Sequence, residues 1–529
     1  MSKGTFYITT PIYYPSSKLH IGNAYCTVAT DVMARYKRMS GYDVMFLTGT
    51  DEHGVKIGEN ARAAGITPQE FVDRIVEGQG GIVELWKLMN ISNDRFIRTT
   101  DDYHKSAIQR IFKALYDRDE IYKGTYKGLY CTPCESFWTE TQLVDGKCPD
   151  CGREVKHAEE EAYFFRLSKY GEKLTALLQS GYLEPRSRVN EMINNFIRPG
   201  LEDLCVSRTT ITWGVPVDFD PGHVVYVWVD ALFNYMTALG FENDRYDDMR
   251  FWPADLHIVG KEIVRFHSII WPAFLMALDL PLPKKVFGHG WLVFGGEKIS
   301  KSRSQGKSVI DPLILAPRYG ADALRYYLLR SFPFGSDGDF TNELLVSRIN
   351  SDLANDLGNL VSRTVAMAEK YFGGSLPDTR ESGEFDSGLI EIASKLPEIY
   401  ETYMEKLAFH NALAEINRLT ARANKYIDET MPWALARDEA NTARLAAVLY
   451  NLLESVRVTA VLLSPFMPES SAAMLTQLGV EENRRTWESV QSFGGGDYKN
   501  VTRGETLFPR IDIDREMLEL AEIINEATR

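Results

Sequence analysis

Apolar positions in this chain fall first into short continuous runs and later into long helical stripes. TFYITT (5–10) reads as a buried strand, followed by the loop PIYYPSSKL and a helix from about Gly22 to Arg38. DVMFLTGT (43–50) is a second strand, and helical spacing then continues through Leu88. A strand, a helix and another strand in that order predict a parallel sheet covered by helices. The pattern lapses after about residue 117, where Gly, Tyr, Cys and Pro punctuate YKGTYKGLYCTPC. It returns at VVYVWVDALFNYM (224–236), LHIVGKEIVRFHSIIWPAFLMAL (256–278) and KVFGHG (285–290), each an apolar strand feeding a helix or loop. The simplest account is an α/β fold with one doubly wound, Rossmann-type parallel sheet, split by an insertion of about a hundred residues.

From Gly320 onward the character changes. ADALRYYLLR, INSDLANDLGNLVSRTVAMAEKY, AFHNALAEINRLTARANKYIDE and TARLAAVLYNLLESVRVTAVLL carry apolar residues at helical spacing, which predicts a C-terminal α-helix bundle. GGSLPDTRESGEFDSG (373–388) is the obvious loop-like connector there. No internal repeat or low-complexity tract is visible. The boundaries that follow are 1–116 and 224–291 for the two halves of the sheet domain, with the insertion at 117–223 between them. A connecting region spans 292–354, and the helical domain spans 355–529.

Composition narrows the class. With 529 residues, 44% hydrophobic and 25% charged, the chain can build several packed cores, which excludes disordered and fibrous classes. No run of 18 or more apolar residues occurs, so no membrane span is expected. The start, MSKGTFYITTPIYY, lacks the basic-then-apolar layout of a signal peptide. Six cysteines are too few for a disulfide scaffold, and a cytoplasmic location is the expectation. A net charge of −14 argues against a general nucleic-acid coat while leaving room for a local or shape-specific RNA site.

Three motifs carry candidate chemistry. Cys131-Thr-Pro-Cys134 and Cys148-Pro-Asp-Cys151 are two CxxC pairs separated by thirteen residues. Two-residue gaps put each pair of thiolates on one tight turn, stiffened by Pro133 and Pro149, and four thiolates complete a closed tetrahedron. One structural Zn2+ per chain is expected, rather than core cysteines or two redox pairs, because four of six cysteines fall within 21 residues. Cys26 and Cys205 are ordinary core candidates. His20-Ile21-Gly22-Asn23 opens the first helix, where the N-terminus favours an anion and His20 and Asn23 share a face. Gly22 removes a side chain where another group must come close. Alone, HxGN more often describes an ordinary loop-to-helix junction. Lys298-Ile-Ser-Lys301-Ser302, behind Gly295-Gly296, offers lysines and hydroxyls to clamp a polyphosphate, against the alternative of a solvated basic loop.

Taken in order, HIGN and KISKS resemble the HIGH and KMSKS signatures of class I aminoacyl-tRNA synthetases. PIYYPSSKLHIGN, LTGTDEHG, YVWVDALFNYM, GKEIVRFHSIIWPA and NDLGNLVSR all resemble methionyl-tRNA synthetases, and the resemblance runs from about residue 5 to about 480. Asn23 stands where the signature has its second His. Its amide can donate to a phosphate or ribose oxygen as an imidazole does, but proton transfer at this position is excluded. Ile299 replaces the signature Met, one apolar side chain for another.

The resemblance implies a ligase that activates L-methionine with ATP to methionyl-adenylate and pyrophosphate. The methionyl group then passes to the 3′ end of tRNA(Met), initiator and elongator. His20, Asn23, Lys298 and Lys301 would serve catalysis. ATP would be held by these four with Gly22, Gly260 and Glu262, the last accepting from ribose hydroxyls, and Mg2+ would arrive with the nucleotide. Asp51 would meet the methionine ammonium. Ile12, Tyr14, Trp228, Leu232, Tyr235 and His267 would enclose its side chain, since sulfur packs well at aromatic edges. Without the resemblance, Trp228 and Tyr235 read as core residues on a strand and a helix.

RNA recognition would fall to the bundle, with 355–529 binding the anticodon and 292–354 contacting the stem. Asn359 and Arg363 lie four apart on one helix face, and Pro432-Trp433 ends another helix, where the indole can stack on a splayed base. These four resemble the family's readers of the CAU anticodon. A solvated helix face is the usual reading of Asn359 and Arg363 alone. Arg208 resembles a family position near the catalytic centre, with no role evident from sequence. The end at Arg529 leaves out the oligonucleotide-binding module of some relatives, so a monomer without a membrane partner is expected. Two rivals are a zinc-ribbon RNA-binding protein without catalysis and a class I enzyme for a larger aliphatic amino acid. His20, Asp51, Lys298 and Lys301 together speak against the first. The second would need an editing domain larger than the insertion.

Overall fold

Continuous apolar runs make strands buried on both faces, and the chain uses them as the middle of a parallel sheet. The structure is a computed structural model that describes residues 3–134, 136–138, 140–149, 151–294, 297–298 and 308–528. Two units emerge, one of Met1–Leu19, Tyr42–Lys87 and Ile91–Gly290, the other of His20–Gly41, Leu88–Asn90 and Trp291–Arg529.

The first unit holds a six-stranded parallel sheet in the order Arg95–Arg98, Asp43–Thr50, Thr5–Thr9, Leu256–Gly260, Val286–His289, Leu183–Glu184. Ile8 pairs in register with Phe46 on one side and Leu256 on the other. Strand order reverses between Thr5–Thr9 and Leu256–Gly260. In sheets of this kind the crevice at the carboxyl ends of such a strand pair receives ligands. Phe233 packs against Trp271 and Phe274 in a core that also holds buried Tyr7.

The insertion is where the sequence pattern misleads. YKGTYKGLYC forms the long strand Ile121–Cys131, paired antiparallel with Lys156–Phe165. Its alternate glycines mark close ring packing: a Cβ on Gly124 would lie 3.2 Å from the Phe164 ring, and one on Gly128 would lie 2.4 Å from the Tyr126 hydroxyl. Arg208 finds its partners here. It pairs with Glu160, which also accepts from the backbone N–H groups of Thr209 and Thr210 at 2.9 and 3.1 Å. The guanidinium lies 4.2 Å from the Tyr130 ring centre. Leu183–Glu184, within the same stretch, returns to the edge of the parallel sheet through two residues, too short a strand for periodicity to reveal. VVYVWV also differs from its strand reading. Only Val224–Val225 is extended, antiparallel to Ser207–Arg208, and Val227–Thr237 is a helix buried on every side. Burial all round lets β-branched residues serve a helix as well as a strand.

Helices dominate the second unit. The predicted segments appear as Ala321–Arg330, Phe409–Thr430 and Thr442–Leu463, with Ile349–Gly358 a π-helical stretch ahead of the α-helix Asn359–Phe372. Asp386–Glu405 adds a further long helix that begins inside the predicted connector. Glu439–Leu463 is long and apolar enough to cross a membrane, yet its apolar window is wholly buried in the bundle. Within it Glu454 meets Arg457 at 2.6 Å and accepts from the N–H groups of Gly494, Gly495 and Gly496 at 2.9–3.1 Å.

The helix that begins at HIGN, Ile21–Met39, is bolted by charge. Arg325, fully buried, donates to Asp31 at 2.6 Å, to the carbonyls of Pro465 and Phe466 at 2.8 Å, and to that of Met89 at 3.1 Å. Arg35 reaches the same Asp31 oxygen at 2.8 Å. Arg325→Met should therefore cost about 3–5 kcal/mol, the usual penalty for orphaning a buried partner. Asp31→Asn should cost less, because the guanidinium keeps its carbonyl acceptors. Thermal unfolding of the two variants should rank them in that order below the parent; equal losses would mean that the carbonyl contacts contribute nothing.

Candidate functional site

The candidate pocket residues of the first unit come from the ends of its central strands and the helices behind them. Ile12 and Tyr14, both half-buried, follow Thr5–Thr9, and Tyr13 between them donates its N–H to Gly49 at 2.8 Å. Asp51 follows Asp43–Thr50, and its N–H donates to Tyr13 at 3.0 Å, so the two strand ends are laced together. Trp228, Leu232 and Tyr235 recur at helical spacing on Val227–Thr237. His267 lies in the π-helical turn Phe266–Ile270 that leads into helix Trp271–Ala277.

Of these side chains, Trp228, Tyr235 and His267 form one aromatic set. The Tyr235 hydroxyl meets His267 Nε2 at 2.7 Å, and His267 Nδ1 lies 2.9 Å from the Ile263 carbonyl. A carbonyl can only accept, so Nδ1 carries the proton, Nε2 accepts, and the tyrosine hydroxyl donates. Burial disfavours the charged ring and holds His267 down at about 4, although the Ile263 carbonyl pulls the other way. The imidazole is neutral at pH 7. Trp228 lies flat on Phe266, with ring centres 3.6 Å apart and planes 6° from parallel. Its edge relation to His267 spans 6.5 Å at 86°. His257, fully buried, lies tilted against Tyr235 with ring centres 4.3 Å apart and bonds Thr9 Oγ1 at 2.7 Å.

Gly260 ends its strand directly before a short turn that carries Glu262. A Cβ on Gly260 would sit 2.4 Å from the Glu262 carboxylate, so only glycine lets that carboxylate fold back over the strand end.

In the second unit, HIGN forms a capping box. His20 Nδ1 accepts from the Gly22 N–H at 3.0 Å, and Asn23 Oδ1 accepts from the His20 N–H at 3.0 Å. The group that approaches Gly22 is thus the His20 ring itself, 2.9 Å from where a Cβ would lie. The helix's first N–H, of Ile21, donates to Ile310 at 2.9 Å, just past the KISKS stretch. Lys301 lies outside the described residues, and Lys298 is described only as backbone in the strand Glu297–Lys298.

Asn359 is exposed at the start of its helix, and Arg363, one turn on, pairs with Asp428 at 3.4 Å. Asp428 precedes Met431, whose left-handed backbone (φ 43°) turns the chain into the short helix Pro432–Leu435. Pro432 is buried there and Trp433 is 43% exposed, so the indole is not a core residue. The four cysteines also converge. Their sulfurs all lie within 4.8 Å of one another and could hold a metal ion.

Similarity to known proteins agrees with this geometry. The model for "tRNA synthetases class I (M)" matches residues 6–160 and 153–365, and that for "Anticodon binding domain of methionyl tRNA ligase" matches 376–516. The methionine–tRNA ligase of Caldanaerobacter subterraneus subsp. tengcongensis is 61% identical over 531 residues, covering 100% of this chain and 82% of that protein. That of Bacillus subtilis is 54% identical, covering 97% of this chain and 79% of its own length. The chain belongs to the methionyl-tRNA synthetases. A solved methionyl-tRNA synthetase from Mycobacterium tuberculosis, in complex with methionyl-adenylate, superposes with a TM-score of 0.90 at 41% identity, covering 96% of this chain and 100% of that one. As a member of the family, the chain is a class I aminoacyl-tRNA synthetase and an enzyme of the methionine–tRNA ligase class.

Two residues of this synthetase, Phe266 and Asp230, bear on the site although neither is among the candidates named from sequence. Phe266 reads as one more apolar residue in VRFHS, and its stacking on Trp228 is visible only in three dimensions. Asp230 does leave a trace, as an acid inside the apolar run VWVDALF, where nothing in the sequence names its partners.

The neutral state of His267 makes a pH prediction. The unfolded imidazole titrates near 6.5, so the unfolded chain takes up this proton first as pH falls. Stability from His267 is complete above about pH 6.5 and declines by about 1.4 kcal/mol per unit towards pH 4, about 3 kcal/mol in all. His267→Asn should remove that share of the acid sensitivity. Denaturant unfolding of both proteins at pH 7 and pH 4.5 checks it; parallel losses would mean that His267 is not held neutral.

Proposed function

We propose that the crevice at the central strand ends holds methionine, with Asp51 at its ammonium and the aromatic set around its thioether. The observation that supports this most directly is the Tyr235–His267 hydrogen bond. It occupies the tyrosine hydroxyl and the imidazole acceptor with each other, so an apolar side chain can enter without stranding either group. Sulfur against ring edges then gains a favourable contact. Ile12, Tyr14 and Leu232 complete the walls.

ATP would bind at the HIGN helix and at Gly260 and Glu262. With Nδ1 accepting from the Gly22 N–H, the His20 ring proton sits on Nε2, and with Oδ1 accepting from the His20 N–H, the polar group of Asn23 left to meet an anion is a donor. Both suit phosphate oxygens at a helix N-terminus. Lys298 and Lys301 would meet charge as it develops on the departing pyrophosphate, and Mg2+ would arrive with the nucleotide to neutralise its phosphates. The activated methionine would pass to the 3′ end of tRNA(Met), initiator or elongator. Asn359, Arg363, Pro432 and Trp433 would read the anticodon, with 355–529 as the anticodon-binding domain and 292–354 against the stem. A monomeric, cytoplasmic enzyme is the simplest setting.

Amino-acid-dependent ATP–pyrophosphate exchange and tRNA aminoacylation separate these roles. Methionine should support exchange in preference to other amino acids. Asp51→Asn should raise the methionine KM in exchange by about tenfold or more, because it removes a charge from the ammonium. Trp433→Ala should leave exchange and melting temperature near the parent values, yet lower aminoacylation kcat/KM by about one to two orders of magnitude. If the Trp433 variant loses both activities equally with its fold intact, the anticodon reading is wrong.

The cysteine cluster fits zinc. A tetrahedral ion with Zn–S bonds of about 2.3 Å spaces its sulfurs about 3.8 Å apart. Cys131 and Cys151 lie 3.6 Å apart, and Cys134 and Cys148 4.0 Å. All four cysteines would hold one Zn2+ in a closed structural site that stiffens the tip of the inserted hairpin. Elemental analysis should find about one zinc per chain, lost in Cys148→Ser. Metal-free protein with four freely reactive thiols would sink the assignment.

A further inference from the structure

Helix Val227–Thr237 carries two stripes. Trp228, Leu232 and Tyr235 form one, and Asp230, Asn234 and Thr237 form another, offset by two residues and so on a different side. The second stripe is polar in a helix buried all round, where a group without a partner is costly.

Asp230, 1% exposed, finds two. Its Oδ2 meets His53 Nδ1 at 2.6 Å, and its Oδ1 meets His104 Nε2 at 2.8 Å. A carboxylate only accepts, so both imidazoles donate. His104, fully buried on helix Asp102–Asp117, also bonds Thr237 at 2.7 Å through Nδ1 and thereby grips the polar stripe at two points seven residues apart. Burial alone would push the Asp230 carboxyl up. The charge of His53 and the hydrogen bonds from both histidines outweigh it and hold the group down at about 2.

His53 belongs to the Asp51–Gly54 loop, each residue of which is pinned. Asp51 donates to Tyr13, and Glu52 donates to Thr99 Oγ1 at 2.9 Å and accepts from Trp213 Nε1 at 2.6 Å. The His53 ring rests edge-on against Trp213 at 5.3 Å. Asp230 is therefore the joint between the loop that presents Asp51 and the helix that presents Trp228, Leu232 and Tyr235.

We propose that Asp230 is a positioning residue for the amino-acid substrate, setting the ammonium-binding loop against the side-chain wall through its bond to His53. The proposal rests on the assignment of Asp51 and the aromatic set to methionine. It needs no contact between Asp230 and substrate. The consequence is selective: loosening the joint spoils the spacing between two parts of one ligand, while ATP contacts on other segments stay as they were.

ATP–pyrophosphate exchange tests this with Asp230→Ala, Asp230→Asn, His53→Ala and the double variant Asp230→Ala/His53→Ala. Asp230→Ala should raise the methionine KM about tenfold or more, with the ATP KM within about twofold of the parent. Asp230→Asn, which keeps the volume and part of the hydrogen bonding, should fall between. His53→Ala should match Asp230→Ala, and the double variant should be no worse than the poorer single, as for two residues acting through one contact. If Asp230→Ala does not fold, Asp230→Asn and His53→Ala carry the same comparison. Methionine and ATP KM values rising together, or additive effects, would overturn the inference and leave Asp230 a stability residue. An unchanged methionine KM in Asp51→Asn would instead overturn the assignment on which it rests.

Discussion

A carboxylate taken out of water must meet donors at its oxygens, and this requirement decides how distant segments of the chain are joined. Asp31 draws Arg325 and Arg35 to one oxygen. Glu52, fully buried, accepts from Arg98 at 2.7 and 3.0 Å and from Thr50 at 2.6 Å. Asp230 collects two histidines from separate elements, and Glu454 collects Arg457 and three consecutive glycine N–H groups. Apolar packing of equal volume could match or exceed the stability of such pairs. What the charges add is direction, because a lone pair accepts along a defined line and packed methyl groups do not. The candidate site segments hang from these joints: the HIGN helix from Asp31, and the loop of Asp51 from Glu52 on one side and His53 on the other.

Direction also governs the neutral polar groups of the pocket. His267 is locked into one tautomer by a carbonyl that can only accept, and this turns Tyr235 into a donor. Tyr7 repeats the logic a layer deeper, donating its hydroxyl to the Tyr235 carbonyl at 2.7 Å. Tyr235 and His267 therefore spend their polar atoms on each other and on the backbone. On the proposed reading, a pocket that admits a flexible thioether and still discriminates by shape would be well served by rings held in this manner.

Much of this was legible in the sequence because the relevant signals are local. DVMFLTGT is a strand over its full predicted range, and TARLAAVLYNLLESVRVTAVLL is a helix over its own. The four cysteines of the two CxxC pairs converge, as that spacing predicts. The failures share a cause as well. The glycines of YKGTYKGLYC look like a break until Phe164 and Tyr126 are seen lying over them, and the second half of VVYVWV has the composition of a strand while packing as a helix. In each case tertiary partners from other segments decide the outcome, and pattern carries no record of partners. Asp230 is the clearest instance. The acid is visible in VWVDALF, but His53 lies 177 residues before it and His104 126 before.

The HIGN segment shows that a bland reading and a functional one need not compete. As an ordinary loop-to-helix junction, it requires a group to satisfy the first orphan N–H donors, and His20 and Asn23 do so reciprocally. That same cap consumes His20 Nδ1 as an acceptor and so puts the ring proton on Nε2. It also consumes Asn23 Oδ1 and so leaves the Asn23 amide as a donor. Capping thus turns both side chains into hydrogen-bond donors at the positive end of a nineteen-residue helix, the combination an anion requires. Asparagine suits this at position 23 because its amide divides acceptor from donor with no titration near neutral pH, whereas a histidine there would change its donor count as it took up a proton. Glycine at 22 belongs to the same argument: a Cβ would strike the His20 ring and break the cap that fixes its tautomer. The departure from the usual signature therefore keeps the donors and gives up only the proton.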